Sequence, residues 1–160
     1  MTKDIDRIVK NLKVANEPIE ELEQKEQEII HNEVELLLKF IKKIYPYTSK
    51  KMINGNECIL IFVYQNSLND TISNEVYLDR KGVVLYQVYD EDSYRGIVPD
   101  AKIEDGFSFV RIDHFLQNKS LKDIIEFFED RPSKLKNKEF NLRSKLEQRM
   151  KFNNEFEDLL

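Results

Sequence analysis

The apolar residues of this chain change their period twice. Over residues 1–45 they recur every three or four positions, over 57–112 they alternate or run continuously as β-branched and aromatic types, and over 113–160 they return to helical spacing. The outer patterns are those of amphipathic helices and the middle one is that of strands. Strands that follow one another without an intervening helix are joined as hairpins, because a parallel pair needs a long crossover. The expected fold is therefore α+β: an antiparallel β-meander of three or four strands flanked by N-terminal and C-terminal helices. At 160 residues the chain has the length of one domain, expected to span 1–160 without repeat, low-complexity tract or linker.

Within the first third, Thr2 is placed to cap a short helix carrying Ile5, Ile8, Val9 and Leu12, which Asn16-Glu17-Pro18 is expected to end. Pro18 suits the first turn of a second helix, running to Tyr45, with Glu17, Glu20 and Glu21 near the positive end of its dipole. Ile30, Val34, Leu37, Ile41 and Ile44 share a face that should be buried. Residues 20–28 have Leu22 as their one apolar member and should project as a charged arm.

Pro46 stops this helix, and Tyr47–Asn56 reads as a loop with a turn at Asn54-Gly55-Asn56. Cys58–Tyr64 is continuously apolar, as expected of a central strand covered on both faces. Asn66–Asp70 is turn chemistry, and strand two, from about Thr71 to Asp79, points Ile72, Val76 and Leu78 inward. Asp79-Arg80-Lys81-Gly82 makes a hairpin into a strand over 83–89. A long polar loop, 90–105, precedes a fourth strand at 107–112, with Ile97-Val98 as a short extra pairing. Ser120 and Asp123 form a capping pair for a helix that Arg131-Pro132 closes, and the final helix starts after Ser133 with Leu135, Leu142, Leu146 and Met150 as its stripe.

The net charge of −5 and pI near 5.2 work against a protein that coats nucleic acid with its whole surface. Cys58 is the lone cysteine, so the chain forms no internal disulfide and no Cys-based zinc site, and a reducing, cytoplasmic setting is expected. No apolar run approaches the roughly 20 residues that span a bilayer, and no apolar leader follows Met1, so membrane partners are not expected. The Lys, Asn and Ile bias, the lack of Trp and the four glycines resemble translation from an AT-rich bacterial or phage genome.

Three features invite chemistry. Tyr89-Asp90-Glu91-Asp92-Ser93-Tyr94-Arg95-Gly96 clusters carboxylates with interface-type tyrosine and arginine, a surface for a basic partner. It fails as an EF-hand loop: with Asp90 and Asp92 as first ligands, Tyr94 falls on the third ligand, the glycine comes one place late at Gly96, and Ala101 stands where the closing glutamate belongs. No metal or cofactor is expected. Asp113-His114 places a carboxylate beside an imidazole, but sequence neighbours point apart, and Asp113 reads as the cap of a short turn. The final helix is basic: Lys134, Lys138, Lys145 and Arg149 share one side and, with Arg143, are the candidate nucleic-acid-binding residues; the helix can track phosphates, pair with the acidic 20–28 arm, or simply be solvated. Tyr77, Tyr86, Tyr89 and Tyr94 gather around strands two and three.

No nucleophile elbow, P-loop or dinucleotide fingerprint occurs, so a familiar enzyme is not expected. The leading expectation is a non-enzymatic interaction protein: a small acidic modulator or inhibitor of a larger protein or ribonucleoprotein. In size, charge and genome bias it resembles in type, though not in motif, phage or mobile-element counter-defence proteins such as anti-CRISPR proteins. The alternative is a nucleic-acid-binding regulator using the basic helix. The topology also admits a homodimer through the helices.

Overall fold

The computed structural model describes residues 2–64 and 72–160, with side chains at 4–64 and from 74 onward. The Thr2 cap, the Asn66–Asp70 turn, the start of strand two at Thr71 and the inward placement of Ile72 lie outside the described residues. The chain divides into two units, 1–121 and 122–160.

The first unit opens with a single helix, α1, over Thr2–Ile44. The expected break at Pro18 does not occur. A proline inside a helix deprives the carbonyl four residues earlier, here that of Val14, of its donor. Every side chain described from Asp4 to Ile29 is exposed, so water is available to that carbonyl and the helix runs on. Ile30, Leu37 and Ile41 are buried and Val34 half-buried, as their spacing foretold. A 3-10 turn at Tyr45–Tyr47 then leads into the sheet.

Among the described residues the sheet has six antiparallel strands rather than three or four: β1 (Lys50–Ile53), β2 (Asn56–Val63), β3 (Ile72–Asp79), β4 (Val83–Val88), β5 (Lys102–Glu104) and β6 (Phe107–Arg111), in the order β1-β2-β3-β4-β6-β5. The two additional strands are β1 and β5, short edges in segments that read as polar loop. Each is held by a two-residue turn with positive φ at both positions: Asn54 and Gly55 (52° and 77°), and Asp105 and Gly106 (50° and 81°). Two such residues give the turn whose twist matches that of the flanking strands. The middle of the sheet is β3 and β4, so Cys58–Tyr64 is interior but not central.

Strand β2 is nonetheless covered on both faces, since Cys58, Ile59, Leu60 and Ile61 are all buried. The ladder places Ile59, Leu78, Val84 and Val110 in one row on one face, and Leu60, Tyr77, Leu85, Phe109 and Lys102 in a row on the other. The first face receives α1: Leu38 reaches to 3.9 Å of where a Cβ on Gly82 would stand. The same face receives α3 (Ile112–Asn118), whose Phe115 ring lies 6.3 Å from that of Tyr86. The sheet curls until Asn54 Nδ2 at one edge donates to the Glu104 carbonyl at the other, 3.4 Å away. On the second face Ile53, Cys58, Leu60 and Leu85 are buried. The Asp79–Gly82 hairpin forms as read, with Asp79 Oδ1 accepting the amides of Lys81 and Val83 at 2.8 and 2.9 Å.

The second unit is one helix, α4, which begins at Leu121 directly after Ser120 and runs to Leu159. Pro132 lies inside it and does not divide it in two. Ile124 and Phe127 are buried near its start. From Pro132 to Leu160 every side chain except half-buried Ser144 is exposed.

Candidate functional site

The acidic segment is not an irregular loop. Glu91–Ile97 form a helix, α2, and Ile97-Val98 end it instead of pairing as a strand. Asp90 is its N-cap: the carboxylate accepts the Ser93 amide at 3.2 Å and the Ser93 hydroxyl at 2.8 Å. Those bonds, the hydroxyl's foremost, hold the Asp90 carboxyl below its ordinary range. Glu91 and Asp92 occupy the first turn, where the helix dipole favours negative charge.

Tyr94 corrects the expectation of a surface anchor. It is buried, and the Ser108 hydroxyl, also buried, donates to its phenol oxygen at 3.1 Å. Tyr94 pins α2 to strand β6. Tyr77 and Tyr86 are buried as well, and burial raises the Tyr86 phenol far above its ordinary pKa. Of the four tyrosines singled out in the sequence, Tyr89 alone is exposed. Arg95 is exposed and lines a shallow groove of about 660 Å³ with Ala101, Ile103 and Phe109.

Both histidines of the chain line one groove of about 760 Å³, His31 from α1 and His114 from α3, together with Arg111 and Asp113. Asp113 is already engaged there. One carboxylate oxygen accepts from Arg111 at 2.7 Å and the other accepts the His114 amide at 3.0 Å, holding the first turn of α3. His31 stands 3.8 Å from Glu35, one turn along its own helix. Among the described residues no group of three His, Cys, Asp or Glu side chains is placed to hold a metal ion. Cys58 is fully buried, and burial, with the Asp79 charge adding, pushes its thiol up to about 11. Such a thiol is a poor nucleophile.

The larger unsatisfied surfaces are on the two long helices. On α4, at 100° per residue, Lys134, Lys138, Lys145 and Arg149 fall within an arc of about 60° and extend over about 22 Å of helix. Arg143 lies on the other side and pairs with Glu139 at 2.7 Å, so it leaves this set. Beside the basic arc lie Leu135, Leu142, Leu146 and Met150, all exposed. On α1 the projecting arm is longer than the acidic 20–28 segment and is not simply charged: Ile5, Ile8, Leu12, Ile19, Leu22 and Ile29 are each exposed. Reading a break at Pro18 split that row in two and concealed it. Its signal was available, since the spacing of three and four continues straight through the proline.

Among the described residues no helix is long and apolar enough to cross a membrane. Compared with known proteins, the chain matches no family model, no curated protein and no solved structure.

Proposed function

We infer that this protein is a non-enzymatic interaction protein, a modulator that engages a larger macromolecular partner through α4. One observation supports the reading above the others: beyond Pro132 the helix offers a four-cation arc directly beside an apolar stripe, all exposed. An apolar helix face with a charged flank is the form taken by helices that lie in the groove of another protein. The complementary surface is an apolar groove with an acidic rim. In the acidic segment, by contrast, the Asp90 carboxylate is engaged in capping α2.

A second reading, nucleic-acid binding, is favoured by the absence of any carboxylate within the basic arc between residues 131 and 149. The two differ in what the leucines do, because a phosphate backbone has no use for an apolar stripe. The test is affinity capture of the full chain from host lysate after nuclease treatment, run beside two variants. One is Leu142→Asp with Leu146→Asp; the other reverses Lys138, Lys145 and Arg149 to Glu. A stoichiometric protein retained by the parent chain and lost with both variants is the expected result. Nucleic acid retained in low salt, lost with charge reversal and indifferent to the leucines would replace the first reading with the second. Capture unaffected by either variant would remove α4 from the interface.

A further inference from the structure

All but two of the exposed apolar residues of the α1 arm, Val9 and Val14 standing apart, are spaced as a heptad seam. Ile5, Ile8, Leu12, Ala15, Ile19 and Leu22 follow one another at intervals of three and four, and Ile29 continues the series one heptad on, with Glu26 between. Alternating threes and fours keep one edge of a helix facing a neighbouring helix along its length. The six Ile and Leu members are 52% to 64% exposed. A helix of this length carrying such a seam, with a proline inside it, draws little stability from propensity and most from what packs on the seam.

Charge identifies the occupant. Residues 4–13 hold Arg7, Lys10 and Lys13 against Asp4 and Asp6, while 17–28 hold six glutamates against Lys25. A parallel copy would set the glutamate-rich halves side by side. An antiparallel copy sets each glutamate-rich half against the half that carries the excess of cations, in both chains at once. The same antiparallel arrangement brings the seam into register about residue 17. Ile5 then opposes Ile29 of the other copy, Leu12 opposes Leu22, and Ala15 opposes Ile19, a small residue against a large one. Glu26 meets Ile8, the one mismatched layer, and a polar residue on a seam is a known means of fixing register at a cost in stability.

We propose that the α1 arm, residues 5–29, pairs in antiparallel fashion with the same segment of a second copy of this chain. The dimer does not depend on what α4 binds. Sedimentation equilibrium of the full-length protein is expected to show a concentration-dependent shift from 19.1 kDa towards twice that mass. Salt should weaken the association, because attraction between the halves is screened. Leu12→Asp with Ile19→Asp should weaken it tenfold or more, and since both side chains are exposed the folded sheet should be unaffected by circular dichroism. Orientation is read by mixing an Ile5→Cys chain with an Ile29→Cys chain under mild oxidation: the mixed disulfide dimer should form in preference to either self-pair. A monomer up to about 1 mM, a dimer untouched by the double substitution, or preferential Ile5→Cys self-pairing would each overturn the proposal. It is equally overturned by a monomer whose arm amides resist exchange until Leu12→Asp is introduced, since another segment of the same chain would then close the seam.

Discussion

Replacing Tyr94 with phenylalanine removes one oxygen and nothing else, which makes it the sharpest probe of where this side chain acts. The phenol oxygen accepts the Ser108 hydroxyl at 3.1 Å in a site where Ser108 is 1% exposed and Tyr94 6%. A neutral hydrogen bond contributes about 0.5–1.5 kcal/mol net, and stranding a buried hydroxyl costs about 1–3 kcal/mol. Tyr94→Phe should therefore destabilise the protein by about 1–2 kcal/mol, and Ser108→Ala, which strands the phenol instead, by a similar amount. The double variant strands neither group, so its loss should fall short of the sum of the singles by about 1 kcal/mol. Urea unfolding followed by tyrosine near-ultraviolet circular dichroism measures all four corners of the cycle. Single variants within about 0.3 kcal/mol of the parent, or losses that simply add, would refute the pairing.

Cys58 should resist alkylation in the native state well above pH 9, because its thiol, ordinarily ionising at 9.0, is pushed up to about 11 by burial first and Asp79 second. The same shift gives the pH dependence of stability: the contribution is complete below pH 9 and is lost as pH rises towards 11, where the unfolded thiol ionises before the folded one. Rapid labelling at pH 8.5, or stability that increases from pH 9 to 11, would contradict this. Pro132→Ala should slow amide exchange in the neighbouring turns of α4 by up to about a hundredfold, from the roughly 3 kcal/mol that separates proline and alanine in a helix interior. Unchanged exchange there would mean that the helix ends at Arg131 after all.

What the sequence revealed and concealed follows from how each element is held. The strands β2, β3, β4 and β6 are built on residues such as buried Ile59, Leu78 and Val84 and half-buried Val110, a row whose composition can be read without knowing the neighbours. β1 and β5 were missed because only two of their residues turn inward at all: Ile53 is buried and Ile103 half-buried, while the remaining members are exposed. Their placement comes from turn backbone instead, and Asn54-Gly55 and Asp105-Gly106 are the pairs that favour it. Tyr94 was misplaced by the opposite route, since its burial depends on Ser108, fourteen residues on, which no local pattern announces. Pro18 and Pro132 misled in a third way. Each was weighed as a stop, yet both helices continue: around Pro18 the helix is solvated, so water reaches the freed carbonyl and proline lowers stability without ending the element, and α4 likewise runs on through Pro132. That correction bears on function as well as on boundaries. Two short helices separated by prolines would each present a few apolar residues, whereas one continuous α1 aligns Ile5 through Ile29 into a single edge, broken only at Glu26, long enough to accept another helix.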